Sequence, residues 1–389
     1  MVPMSVSRGT RIAVCCALME CALAFVPAAL PPLRTSRRSP GSASIACNLR
    51  QQGGDAIDRR SVLLGSAVAA VAWYTGSSPA QAAAITAKIP VWSLEGGVEM
   101  PTLALNTAGL TVEGTERAVR LALAAGITHV DFHPGTERNG VARAIRSGGR
   151  AGLFLTTKID KPPPGTTPAA AAAMARSQID ADLRALGVDS VDMLMLRDSP
   201  DCAVIQAQWA VLEEARKSGK TRAIGVINFC ESALRCVLAT ATIAPAVNYF
   251  LLHPGMGPDA HGLRSFGETR GIRSFVYGAL GEPAPLPELL TSPVVTRIAK
   301  EHGRTPEEVA LRWALQSGVA VSVRPTAAFG LGFSKCKDDS VCGAGLGMRA
   351  GSFGWTLTDT EMAALDGMQG PDQNPTLFSS SGCPGGFVF

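Results

Sequence analysis

The chain has 389 residues, with 36 Lys and Arg against 32 Asp and Glu and a formal net charge of +4. Its 46% hydrophobic content is enough for a sizeable core and excludes wholesale disorder. No apolar run reaches the roughly 18 to 20 residues that a spanning helix needs, which argues against an integral membrane protein.

The first 82 residues read as an address. They hold eight Arg and three acidic residues, a net of +5, which leaves 28 basic and 29 acidic residues, a net of −1, on 83–389. A neutral body removes the electrostatic support for a nucleic-acid partner. In residues 1–24, Arg8 and Arg11 precede an apolar run broken only by Glu20, the pattern of a secretory signal peptide. Residues 25–58 contain the Pro-, Ser- and Arg-rich stretch Pro31–Arg50, which lacks acidic residues as a transit peptide does. Residues 59–82 open on Arg59-Arg60, run through the apolar Ser61–Tyr74 and end in Ala80-Gln81-Ala82, which resembles a twin-arginine export signal. Together these segments imply a plastid address, with the thylakoid lumen as destination and the stroma as the alternative. The plainer reading is one N-terminal extension with a chance Arg pair. No membrane anchor is expected in the mature protein.

The body, 83–389, alternates short apolar strands with longer helical patterns. Strands are expected at Thr102–Asn106, Thr128–Phe132, Gly152–Lys158, Val191–Leu196, Ala223–Val226, Ala244–Tyr249, Arg273–Val276 and Val319–Val323. Helices are expected at 113–125, around 141–145, and at 168–186, 203–218, 231–240, 259–270, 292–302 and 306–317. Eight strands, each followed by a helix or a long loop, predict a single-domain α/β fold, a (β/α)8 TIM barrel with its chemistry at the C-terminal strand ends. A doubly wound sheet is the competitor. Its only phosphate-loop candidate, Gly343-Ala344-Gly345-Leu346-Gly347, follows no expected strand and opens no expected helix, so the barrel is preferred. Residues 329–351 read as a Gly-rich insertion and 370–389 as a C-terminal tail.

Several segments in order resemble the aldo-keto reductases. These are Met100-Pro101, Ala118–Asp131, Leu155–Lys158, Ile224–Phe229, Pro245–Asn248 with His253-Pro254, and Thr305–Leu315. The resemblance implies a nicotinamide cofactor, NADP (NADPH), a small carbonyl substrate, and proton transfer by a tyrosine, lysine, aspartate and histidine. Asp131 and Lys158 match the aspartate and lysine. The tyrosine position is Thr136 and the histidine position is Arg197, so half of that set is replaced. His133, two residues after Asp131, is a candidate substitute acid, or else a loop histidine filling polar space. Asp131 and Lys158 are either a proton-handling pair or a structural salt bridge. Arg197 either polarises a carbonyl or binds an acidic substrate, or it forms a plain ion pair with Asp198.

For the cofactor, the resemblance implies Asn228 at the carboxamide, Tyr249 where the family has a glutamine, and Tyr277 stacked on the nicotinamide, with Leu280 in the same segment. Arg324 is the candidate for the 2′-phosphate, since a guanidinium binds phosphate through two N–H groups. The alternative to a carbonyl reductase is an inactive relative that senses nucleotide or docks a partner. Of ten Cys, six follow Ala82: 202, 230, 236, 336, 342 and 383. Cys336 and Cys342 are a candidate disulfide, with Cys383 as a possible third member and free thiols as the alternative. The histidines show no zinc spacing.

Overall fold

The computed structural model describes residues 88–259, 262–281, 287–325, 333 and 336–368. All of them fall within one compact unit, Asp58–Phe389. The three address segments, the C-terminal tail, Cys383 and the start of the Gly-rich insertion lie outside the described residues.

Two short strands, β1 (Val91–Leu94) and β2 (Val98–Pro101), pair antiparallel as a hairpin that the sequence pattern did not announce. Eight parallel strands follow: β3 (Leu103–Asn106), β4 (His129–Asp131), β5 (Phe154–Ile159), β6 (Val191–Arg197), β7 (Thr221–Ile227), β8 (Val247–Leu251), β9 (Arg273–Tyr277) and β10 (Ala320–Val323). They pair in sequence order, and β10 closes onto β3. This is the expected TIM barrel.

The pleat sorts side chains by parity, because alternate residues of a strand face opposite sides. One core cluster fills the barrel interior: Ala104, Phe154, Met193, Met195, Ala223, Ile227, Val247, Tyr249, Phe275 and Ala320. Leu94, Val98 and Met100 of the hairpin join it and close the N-terminal end. The alternate residues, among them Leu105, Val130, Leu155, Leu194, Val226 and Val276, form a larger cluster with the helices. Gly225 marks a close approach: a Cβ there would lie 2.7 Å from Val247 Cγ2 and 3.0 Å from the Val247 carbonyl oxygen. Any larger residue would push β7 off β8.

The helices lie where the 3.6-residue pattern put them, within a few residues. They include α1 (Val112–Ala124), α2 (Thr136–Gly148), α3 (Pro168–Leu186), α4 (Cys202–Lys217) and α5 (Glu231–Leu238). After them come α6 (Leu263–Glu268), α7 (Pro287–Leu290), α8 (Pro293–His302) and α9 (Pro306–Gln316). Local chemistry sets their ends. Thr305 and Glu308 form a reciprocal capping box that satisfies two of the free N–H groups at the start of α9. Gly187 ends α3 in the left-handed region at φ 72°.

One expectation is corrected. The Gly343–Gly347 run neither forms a loop nor lies outside a helix; it is inside α10 (Asp339–Gly351), which is followed by α11 (Asp359–Asp366). Glycine lowers intrinsic helix stability, and tertiary partners compensate. Asp338 caps the N-terminus, the Arg349 guanidinium donates to Glu307 at 2.6 Å, and Arg117 and Arg120 both bind Asp339. Cys336 and Cys342 are disulfide-bonded, which is the first of the two alternatives. A second disulfide, Cys202–Cys236, ties α4 to α5. Among the described residues no helix is long and apolar enough to cross a membrane.

Candidate active site

Barrel parity sends a set of polar side chains inward above the apolar layers. Asp131 ends β4, and Lys158 sits on β5 at a position of the same facing. Both are fully buried, and the Lys158 ammonium contacts Asp131 Oδ1. Lys158 also donates to the Phe132 carbonyl at 3.1 Å. Two hydroxyls, Tyr249 from β8 and Ser322 from β10, each donate to Asp131 Oδ2 at 2.7 Å. Asn106 from β3 donates its amide to the Tyr249 oxygen at 3.1 Å. Three other strands thus converge on one carboxylate, and β3 supports it through Tyr249.

The electrostatics follow from this packing. Burial alone would raise the Asp131 pKa, but the Lys158 ammonium and the hydrogen bonds hold it below the ordinary carboxylate value. Burial pushes the Lys158 ammonium down, against the pull of Asp131. Burial and the neighbouring Asp131 charge push the Tyr249 phenol well above its usual value. Tyr249 therefore keeps its proton, and its hydroxyl is spent on Asp131 rather than on the position expected for the carboxamide. Thr136 is the first residue of α2.

His133 lies just past β4, with its ring 29% exposed. Its ring nitrogen Nδ1 meets Glu137 Oε2 at 3.0 Å, and its backbone N–H donates to the same oxygen at 3.0 Å. Glu137 also accepts from the Thr107 hydroxyl at 3.0 Å and from the Gly109 N–H at 2.9 Å. Burial opposes its ionisation, but these bonds outweigh burial and hold its pKa down at about 2. A fixed carboxylate on Nδ1 leaves Nε2 as the other polar atom of the His133 ring. The nearby Lys158 charge, followed by burial, lowers the His133 pKa below the ordinary histidine value. Glu137 was missed in the sequence, although it lies four residues after His133 at the start of a helix.

His129, given no catalytic role, is fully buried below this layer. Its Nδ1–H donates to the Pro101 carbonyl at 2.9 Å, and its Nε2 accepts from Thr156 Oγ at 2.7 Å. Burial lowers its pKa to about 4.

Arg197 ends β6 with the inward parity of Met193 and Met195. The expected ion pair with Asp198 is not formed. Asp198 faces the other way and takes Lys161, at 2.9 Å. Burial nevertheless raises the Asp198 carboxyl to about 6.

On the neighbouring strand ends, Asn228 is the only described non-glycine residue with positive φ, at 59°. Asparagine tolerates that region better than most residues. The backbone is held there from β8: the Asn228 N–H donates to the Tyr249 carbonyl at 2.8 Å, and the Asn248 amide donates to the Phe229 carbonyl at 2.8 Å. The Tyr277 hydroxyl donates to Asn228 Oδ1 at 2.8 Å, which leaves the Asn228 amide N–H groups as donors. Half-buried Tyr277 has its ring centroid 4.9 Å from that of Tyr249. An aromatic face beside an amide donor fits a nicotinamide ring and its carboxamide. Leu280 belongs to the outer core cluster, where its side chain packs with the helices. Arg324 follows β10 directly; Thr326, beyond it, lies outside the described residues.

Comparison with known proteins decides the family. Residues 102–327 match the model described as "Aldo/keto reductase family". The chain belongs to the aldo/keto reductase family. It is 35% identical over 241 residues to an aldo-keto reductase of Mycobacterium leprae, covering 61% of this chain and 81% of that one. It is 31% identical over 313 residues to the morphine 6-dehydrogenase of Pseudomonas putida, covering 75% and 97%. Among solved structures, apo Gox0644 superposes with a TM-score of 0.61 at 25% identity, covering 73% of this chain and 94% of that one. A Gox0644 variant solved in complex with NADPH gives a TM-score of 0.60 at 25% identity and the same coverage. This aldo/keto reductase has the family barrel.

Proposed function

We propose that this aldo/keto reductase uses NADPH to reduce a small carbonyl compound, with the His133–Glu137 pair replacing the phenol as the proton donor. The observation that carries the reading is that pair: an imidazole fixed at Nδ1 by an ionised carboxylate, close enough to Lys158 to feel its charge. Bound NADPH supplies a hydride to the carbonyl carbon. Asn228 and Tyr277 hold its nicotinamide, and Arg324 takes its 2′-phosphate. Protonated His133 gives its proton to the carbonyl oxygen, and Glu137 stabilises the imidazolium before that transfer, as an orienting carboxylate does elsewhere. Lys158 and Asp131, sealed beneath, act through their charges.

NADPH titration followed by tryptophan fluorescence, and then NADPH consumption across aldehydes, ketones and quinones, test this reading. Binding with turnover is the expected result; binding without turnover supports a nucleotide sensor instead. That second reading is favoured by one observation, the burial of both Lys158 and the Tyr249 phenol away from a substrate.

For location we propose the plastid, in the thylakoid lumen before the stroma. The paired cysteines suit an oxidising compartment, and fractionation of intact plastids tests it.

A further inference from the structure

We infer that Arg197 is an anion anchor at the mouth of the barrel, and that the substrate is a carbonyl compound bearing a carboxylate. This rests on the reading of the site as a carbonyl reductase and names its substrate class.

Most cations around the mouth are matched by carboxylates. Lys158 is matched by Asp131, His133 by Glu137, and Lys161 by Asp198. Arg197 is left over: among the described residues it has no salt bridge or hydrogen-bonded partner, its Nε is buried without an acceptor, and the charge of Asp198 reaches it without contact. The strand pleat explains why Asp198 does not serve, since consecutive residues face opposite sides and Asp198 is drawn to Lys161.

Met195 pairs in register with Lys158, and Arg197 lies two residues further towards the C-terminal end with the same inward facing. The guanidinium is therefore half-buried at the strand ends where a barrel enzyme meets its substrate. Its charge is felt at Lys158, whose ammonium it disfavours. A buried N–H of a permanent cation is costly when unmatched. A ligand carboxylate accepts from the guanidinium through two parallel bonds and removes that cost. A neutral carbonyl oxygen offers no charge to match it.

The test uses the full chain loaded with NADPH. Glyoxylate, 2-oxobutyrate and succinic semialdehyde are compared with their methyl esters, for wild type, R197K and R197M. Oxamate, a carboxylate that cannot be reduced in this way, is compared with ethyl oxamate by thermal shift. The acids should exceed their esters in kcat/KM. R197M should reduce that preference about 10- to 100-fold, mainly through KM, as expected for the loss of a charged hydrogen bond. R197K should retain part of the preference. Oxamate should raise the Tm of wild type and not that of R197M.

Equal use of acids and esters by wild type overturns the inference and leaves the reductase reading standing. An equal fall for both in R197M also overturns it, as does an oxamate shift that survives R197M. Failure to oxidise NADPH with any compound overturns the reductase reading, and the oxamate shift then decides the anion site alone.

Discussion

Tyr249 donates its phenol proton to Asp131 at 2.7 Å, across 118 positions of sequence. Its ring centroid lies 5.6 Å from the nitrogen of the buried Lys158. The direction of the bond decides its role. A phenol that is fully buried and donating to a carboxylate is a poor acid, so Tyr249 supports Asp131 and does not replace the missing donor.

Tyr249→Phe should therefore act on stability more than on chemistry. It leaves Asp131 one hydrogen bond short in a buried setting, a loss of about 1–3 kcal/mol. Chemical denaturation should show that loss, while single-turnover reduction stays within a few-fold of wild type.

Lys158→Met should be more damaging than the double replacement Asp131→Asn, Lys158→Met. Removing one partner strands a buried charge, at about 3–5 kcal/mol, whereas removing both leaves none. A double-mutant cycle on unfolding free energy checks the ordering.

Burial of His129 should make the fold sensitive to acid. His129 has a folded pKa of about 4 against an ordinary 6.5. The unfolded chain therefore binds the proton more readily, so stability is full above about 6.5 and is lost as pH falls towards 4. The shift corresponds to about 3 kcal/mol as an order of magnitude. Glu137, held at about 2, adds its own loss below the usual carboxylate range. Asp198, raised to about 6, works in the opposite sense over the same range, so the His129 share is read as a difference: between pH 7 and pH 4.5 denaturation midpoints should fall more steeply for wild type than for H129Q.

Cys202–Cys236 and Cys336–Cys342 should differ in weight. Cys202–Cys236 closes a loop with a sequence separation of 34, and Cys336–Cys342 one of 6. Loop entropy assigns about 4 kcal/mol to the first and about 2 kcal/mol to the second. Paired Cys→Ser variants, compared by urea unfolding, should reproduce that order.

Much of this molecule was legible in the sequence, and the exceptions have physical reasons. Eight apolar runs predicted the barrel strands because parallel strands are buried on both faces. The β1–β2 hairpin escaped because its strands are only four residues long and half exposed. The α10 helix escaped because its glycines weaken the local signal, while the partners that hold it lie far away in the chain. Asp131, Lys158, Asn228 and Tyr277 were named through the family resemblance; the structure pairs the first two with each other and the last two with each other. The Tyr249–Asp131 and Ser322–Asp131 bonds were not, since only barrel closure brings β8 opposite β4 and β10 to within one strand of it. The Arg197–Asp198 pair was a neighbour-in-sequence inference, which the strand pleat overrules.

The central claim is that His133 carries the proton. The most direct measurement is the pH dependence of single-turnover reduction in NADPH-loaded wild type and H133Q, with the NADPH Kd measured in parallel. The account predicts a wild-type rate that falls as pH rises through a value below the ordinary histidine pKa. It also predicts an H133Q rate lower by about 100-fold or more, without that limb and with the NADPH Kd unchanged. An H133Q enzyme that reduces substrate at the wild-type rate with the same pH profile would contradict it.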